Sequence, residues 1–190
     1  MAQKTTRMKT AVLLALAPLM LLTGCSSVLG LGPRLAPEDE PYLFDRWDPD
    51  FELAKPCEDI TDEDLVNAEL RYFEDYGDSP YEGLDTCNFL TKEDDLVILS
   101  GAAYKIAMLE KDGIPLNYQL TGIQAPALVY RQNEEDTNCT VAAETSRGTV
   151  EVSFGASAFS DYSIEEKCAQ AEHYFNELIG EKLDEYRANK

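Results

Sequence analysis

Cys139 to Thr145 (CTVAAET), Ser146-Arg147-Gly148 and Thr149 to Phe154 (TVEVSF) form the stretch from which the fold is read. Two β-rich runs bounded by a short turn predict a hairpin. Downstream, Ser163-Ile164-Glu165-Glu166 matches a capping box. Beyond it Ile164, Cys168, Ala171, Phe175, Leu178 and Ile179 recur at three- and four-residue steps, the stripe of a helix buried on one side. Leu183 and Tyr186 extend it, and Gly180 predicts a kink or an early end because glycine weakens a helix by about 1 kcal/mol.

Upstream, Ala127 to Arg131 and Asn117 to Thr121 predict a second hairpin around Gly122 and Pro126. Cys87 to Leu90 and Leu96 to Leu99 read as strands. Ala102 to Leu109 also reads as a strand, since Tyr104, Ile106 and Met108 alternate. Tyr76 to Gly83 is a loop. Thr61-Asp62-Glu63-Asp64 opens a helix expected to run to about Arg71. A short helix, hairpin strands and a long final helix predict an α+β fold, a mainly antiparallel sheet with helices packed on it.

The first residues read as an export signal: Lys4, Arg7 and Lys9 precede the apolar run Ala11 to Leu22. Twelve helical residues rise only about 18 Å, short of a hydrocarbon core of about 30 Å. Leu22-Thr23-Gly24-Cys25 resembles the lipobox of bacterial lipoproteins, which makes Cys25 the expected site of diacylglycerol attachment. Residues 1–24 are then a signal peptide, and residues 25–46, with three prolines, two glycines and a Glu38-Asp39-Glu40 run, a tether. Tyr42, Phe44 and Trp47 leave open that part of the tether packs as an arm. Residues 47–190 form the expected single extracytoplasmic domain, held at the outer face of the cell membrane by lipid.

The formal charge is −20 from 16 basic and 36 acidic residues. Loss of the signal peptide removes three of the basic ones and leaves −23. Such a field excludes nucleic acid and bare anionic lipid as partners and favours solubility, or a basic protein of the envelope. Cys57, Cys87, Cys139 and Cys168 in an oxidising compartment predict two disulfides with three connectivities open. Cys57–Cys87 with Cys139–Cys168 is favoured because each closes a loop of about thirty residues.

No catalytic constellation emerges. His173 points away from the helix stripe, and no Gly-x-Ser-x-Gly, Cys-x-x-Cys or phosphate loop occurs. The acidic runs Asp48-Pro49-Asp50 and Glu58 to Asp64 lack the EF-hand spacing. The expectation is therefore no enzyme, no metal and no cofactor. Tyr72, Phe73, Tyr76 and Tyr81 form an aromatic cluster, read as core and rim or as the lining of an apolar pocket. The first function expected is an envelope binding module; the alternative is a carrier of a lipid or small apolar ligand.

The lipobox, Pro56-Cys57-Glu58-Asp59-Ile60-Thr61-Asp62-Glu63-Asp64-Leu65, Cys87-Asn88-Phe89, the Cys139 strand with Arg147 to Val152, and Cys168-Ala169-Gln170-Ala171 together carry a resemblance. Over about Asp48 to Leu183 the chain resembles the actinobacterial lipoproteins grouped as domain-of-unknown-function family 3558. The resemblance implies an extracytoplasmic domain with a Mog1- or PsbP-like sandwich and the same local cysteine pairing. It brings no catalytic residues. The chain departs from the pattern at Phe89, where the family usually carries a tryptophan one or two residues on.

Overall fold

The computed structural model describes residues 35–73, 83–158 and 160–188. Cys25, Tyr76, Tyr81 and residues 1–24, expected to be a signal peptide, lie outside them. The elements run α1 (Pro56–Asp59), α2 (Asp62–Asn67), β1 (Arg71–Tyr72), β2 (Leu84–Leu90), β3 (Leu96–Ala102), α3 (Ile106–Asp112), β4 (Ile114–Pro115), β5 (Ala127–Arg131), β6 (Cys139–Thr145), β7 (Gly148–Gly155), α4 (Ile164–Ile179) and α5 (Leu183–Arg187). The strands make one seven-stranded sheet, order β1-β2-β3-β7-β6-β5-β4, antiparallel at every pairing. The fold is α+β as expected.

The predicted hairpin is β6–β7, closed from Thr145 to Gly148. Gly148 sits at φ +104°, and a Cβ there would stand 2.4 Å from the Ala102 carbonyl oxygen. Both the turn and the close approach demand glycine. Strand alternation then places Val97 and Leu99 of β3, Val150, Val152 and Phe154 of β7, and Cys139, Val141 and Ala143 of β6 on one face. α4 lies across that face and inserts Cys168, Ala171, Phe175, Leu178 and Ile179, all buried. The first member of its expected stripe, Ile164, is 42% exposed. Ser163 caps α4 with the predicted capping box, and the helix ends at Gly180.

Both disulfides tie a helix to this sheet face. Cys57 of α1 joins Cys87 of β2, and Cys139 of β6 joins Cys168 of α4. Short α1 and α2 cannot bury much apolar area alone, so the covalent link and the Tyr186–Asp59 and Lys182–Asp64 contacts from the C-terminal turns hold them down (2.8 and 3.0 Å).

Four expectations are corrected. Ala102 to Leu109 is not one strand: β3 ends at Ala102 and α3 begins at Ile106. The Glu144 carboxylate on β6 accepts the Ile106 amide (2.7 Å), supplying the N-terminal partner that Lys105 does not, while Ile106 and Leu109 bury one turn apart. The α2 helix stops at Asn67 and not near Arg71, because Glu69 takes φ 56° and turns the chain into edge strand β1. Asn117 to Thr121 does not pair with β5. Ile114–Pro115 takes that edge, and Glu172 of α4 draws Tyr118 and Thr121 away from the sheet. Finally, residues 35–46, expected within the tether, belong to the compact unit that begins at Leu35. Leu43 bridges Tyr104, the Phe44 amide donates to Ala103 (3.0 Å) and the Lys105 amide to Tyr42 (2.8 Å). The arm reading of the aromatic anchors holds for these residues.

Candidate functional site

Two surface grooves bracket the second face of the sheet and the arm packed beside it. The larger, about 350 Å³, is lined by Arg46, Trp47, Phe51, Leu53, Gly83 and Ala103. Its walls follow from the arm: Phe44 stacks on Phe51 with ring centres 5.3 Å apart, and the Ala54 amide donates to the Arg147 carbonyl in the β6–β7 turn (2.7 Å). Trp47 remains 48% exposed, with the Arg46 guanidinium 5.5 Å from its ring centre. The same segment carries Asp45, Asp48, Asp50 and Glu52, and Glu52 pairs with Arg147 (3.3 Å). Asp45 and Asp48 each accept an amide two residues on (3.0 and 2.9 Å), which shapes the turn.

The smaller groove, about 250 Å³, is lined by Tyr104, Met108, Leu109, Asp112, Gly113, Tyr130 and Gln132. Beneath it lies Glu151, on the β7 face opposite α4 and only 6% exposed. Its two carboxylate oxygens accept the Tyr104 hydroxyl (2.6 Å) and the Tyr130 hydroxyl (2.9 Å). Burial pushes the Glu151 carboxyl above the usual carboxylate range, and the two phenol hydrogen bonds hold it back in part. Burial, reinforced by the Glu151 charge, raises both phenols as well. The carboxylate does not line the groove; its two phenol partners do, so the groove meets ring carbon with a carboxylate behind it.

Two more buried carboxylates hold loops in place. Glu172, 7% exposed, accepts from the Tyr118 hydroxyl (2.8 Å), the Thr121 hydroxyl (2.9 Å) and the Thr121 amide, pinning segment 116–126 to α4. Burial and this carboxylate push the Tyr118 phenol up to about 12. Asp95, 1% exposed, accepts the Ser157 amide (2.7 Å) and the Ser160 hydroxyl (2.8 Å). Each is spoken for by structure, and a carboxylate so engaged is poorly placed to take a substrate proton.

Of the aromatic cluster read from sequence, Tyr72 sits on edge strand β1 with its ring 5.2 Å from Phe89, and half-buried Phe73 donates its amide to the Asn88 carbonyl (3.0 Å). Neither lines either groove. Tyr76 and Tyr81 fall outside the described residues. His173 is exposed on α4, its ring 5.1 Å from Tyr174. Among the described residues no group of three or more histidine, cysteine or acidic side chains is arranged to hold a metal ion, and no helix is long and apolar enough to cross a membrane.

Glu151, Tyr104 and Tyr130 escaped the sequence reading because Val150-Glu151-Val152 in a strand reads as inside-outside-inside with the acid in water. Only α3 shows that the outer side is covered there. Compared with known proteins, the chain matches no family model, no curated protein and no solved structure.

Proposed function

We propose that the chain is a non-catalytic binding module of the cell envelope, held by lipid on Cys25 at the outer face of the membrane, that docks a basic protein partner. The observation that carries this reading is the arm groove: Trp47 and Phe51 offer an apolar seat of about 350 Å³ on a segment that carries Asp45, Asp48, Asp50 and Glu52, of which Glu52 is paired with Arg147 (3.3 Å). An apolar side chain flanked by lysine or arginine fits that pattern, and the net charge of −23 left without residues 1–24 steers such a partner in. The lipobox and the resemblance to the lipoprotein family support the anchor. Ten Cα–Cα steps lead from Cys25 to Leu35, a reach of at most about 35 Å, which would keep the arm near the bilayer.

The carrier reading stands second. It is favoured by the groove beside Tyr104 and Tyr130. The layer between sheet and α4 offers it no room, since Phe89, Phe154, Phe175 and Leu178 fill that space at 2% exposure or less.

The test is in-cell crosslinking from a photoreactive residue at position 47 in the full-length protein, with Cys25→Ala as the anchor control. One basic protein should be captured, the yield of capture from isolated membranes should fall between about 0.05 and 0.5 M salt as the Debye length shrinks from about 14 to about 4 Å, and the Cys25→Ala chain should leave the membrane fraction. A complex indifferent to salt, or a Cys25→Ala protein that stays with the membrane, overturns the corresponding half of the reading.

A further inference from the structure

The groove on the sheet face opposite α4 has its own chemistry. Tyr104 and Tyr130 turn their hydroxyls to Glu151, so ring surface lines the groove together with Met108 and Leu109. Asp112 stands in the lining, and Asp136 is held at the rim by the Gln132 amide (3.0 Å). Among the described residues no lysine or arginine lines the groove. Lys111, next to Asp112, is drawn off to the Tyr42 ring (4.5 Å), and Lys105 to the Glu40 carbonyl (2.6 Å). Aromatic faces present negative potential to a cation. The result is an apolar slot with negative charge at its rim.

We propose that this groove binds a small organic ammonium ion, a quaternary or primary alkylamine with a body of a few carbons. Its volume of about 250 Å³ equals about eight water volumes at 30 Å³ each, enough for a trimethylammonium head and a short chain. The cationic head lies against the Tyr104 and Tyr130 rings within reach of Asp112, and the alkyl body against Met108 and Leu109. Gly113 keeps the floor open: a Cβ there would stand 2.8 Å from the Tyr130 ring. Inorganic cations gain little here because an apolar lining cannot replace their water.

The experiment uses the full-length Cys25→Ser chain at 0.15 M salt, titrated with choline chloride and with its uncharged isostere 3,3-dimethyl-1-butanol while backbone amides are followed by NMR. Choline should shift the amides of Met108, Leu109, Gly113 and Gln132 in a saturable way. The isostere should bind about tenfold more weakly, the middle of the range for a cation on an aromatic face. Asp112→Asn, an exposed change at the end of α3, should weaken choline by about threefold or more while leaving the spectrum otherwise intact. Equal binding of the isostere, no saturable shift at these four amides, or shifts spread evenly over the acidic surface would overturn the proposal.

Discussion

Replacing Glu151 by glutamine tests whether burial or hydrogen bonding governs the carboxyl under the sheet-face groove. The side chain is 6% exposed and its oxygens are 2.6 and 2.9 Å from two phenols, a shell that an amide of the same shape also fills. With the folded carboxyl held above its ordinary value near 4.5, there is a pH window in which the unfolded chain has lost the proton and the folded protein keeps it. There the folded state binds one more proton, so the stability of the parent protein falls by about 1.4 kcal/mol per pH unit as pH rises. It is fully present below the unfolded value and lost once pH passes the folded one. Glutamine does not titrate. Urea unfolding of both proteins from pH 4 to 8, disulfides intact, should show near-equal stability at pH 4, within the roughly 1 kcal/mol of an exchanged hydrogen bond. The Glu151→Gln protein should then gain on its parent with rising pH and level off. Asp64 and Glu166, whose carboxyls are lowered by their capping hydrogen bonds, titrate in both proteins and cancel from the difference. A difference that does not change with pH, or one that falls as pH rises, refutes the reasoning; the latter would mean that the two phenols stabilise the carboxylate by more than burial costs it.

Two further predictions concern the scaffold. The disulfides span 30 and 29 residues, so loop closure assigns each about 3.5 kcal/mol, and Cys57→Ser with Cys87→Ser should lose about as much in urea unfolding as Cys139→Ser with Cys168→Ser. Losses differing by more than about 2 kcal/mol would refute a purely entropic account. Phe175→Ala, at a fully buried ring between α4 and the sheet, should cost about 3–5 kcal/mol and lower the urea midpoint without changing the far-ultraviolet spectrum at neutral pH; a cost below about 1 kcal/mol would mean the ring is not packed as described.

How far the residues announce their own placement differs by element. The β6–β7 hairpin, the α4 capping box and the helix end at Gly180 follow from local rules, since turn chemistry, capping and the 3.6-residue stripe act within a few residues. Spacing favours the local cysteine pairing without fixing it, because four cysteines leave three connectivities open. The segment Ala102 to Leu109 misleads for a definite reason: its alternation of Tyr104, Ile106 and Met108 satisfies a strand, and what makes it helical is the Glu144 carboxylate on a strand almost forty residues away. The aromatic cluster misleads in another way. Sequence proximity gathers Tyr72 and Phe73, yet the edge strand points Tyr72 at Phe89 and away from both grooves.

Local pattern alone settles the α+β class and the strand-to-helix order, because hydrophobic period, caps and turns are written within each segment. The strongly negative charge is likewise a property of composition, which no folding can change. Where the unusual groups fall is a matter of tertiary packing. It puts one glutamate under two phenols from different strands and loops, covers a sheet face that the strand pattern marks as wet, and folds the arm from Leu35 onto the domain. Those placements depend on contacts between residues tens of positions apart, whose cost in chain entropy is met only when the whole core forms. No local pattern encodes them.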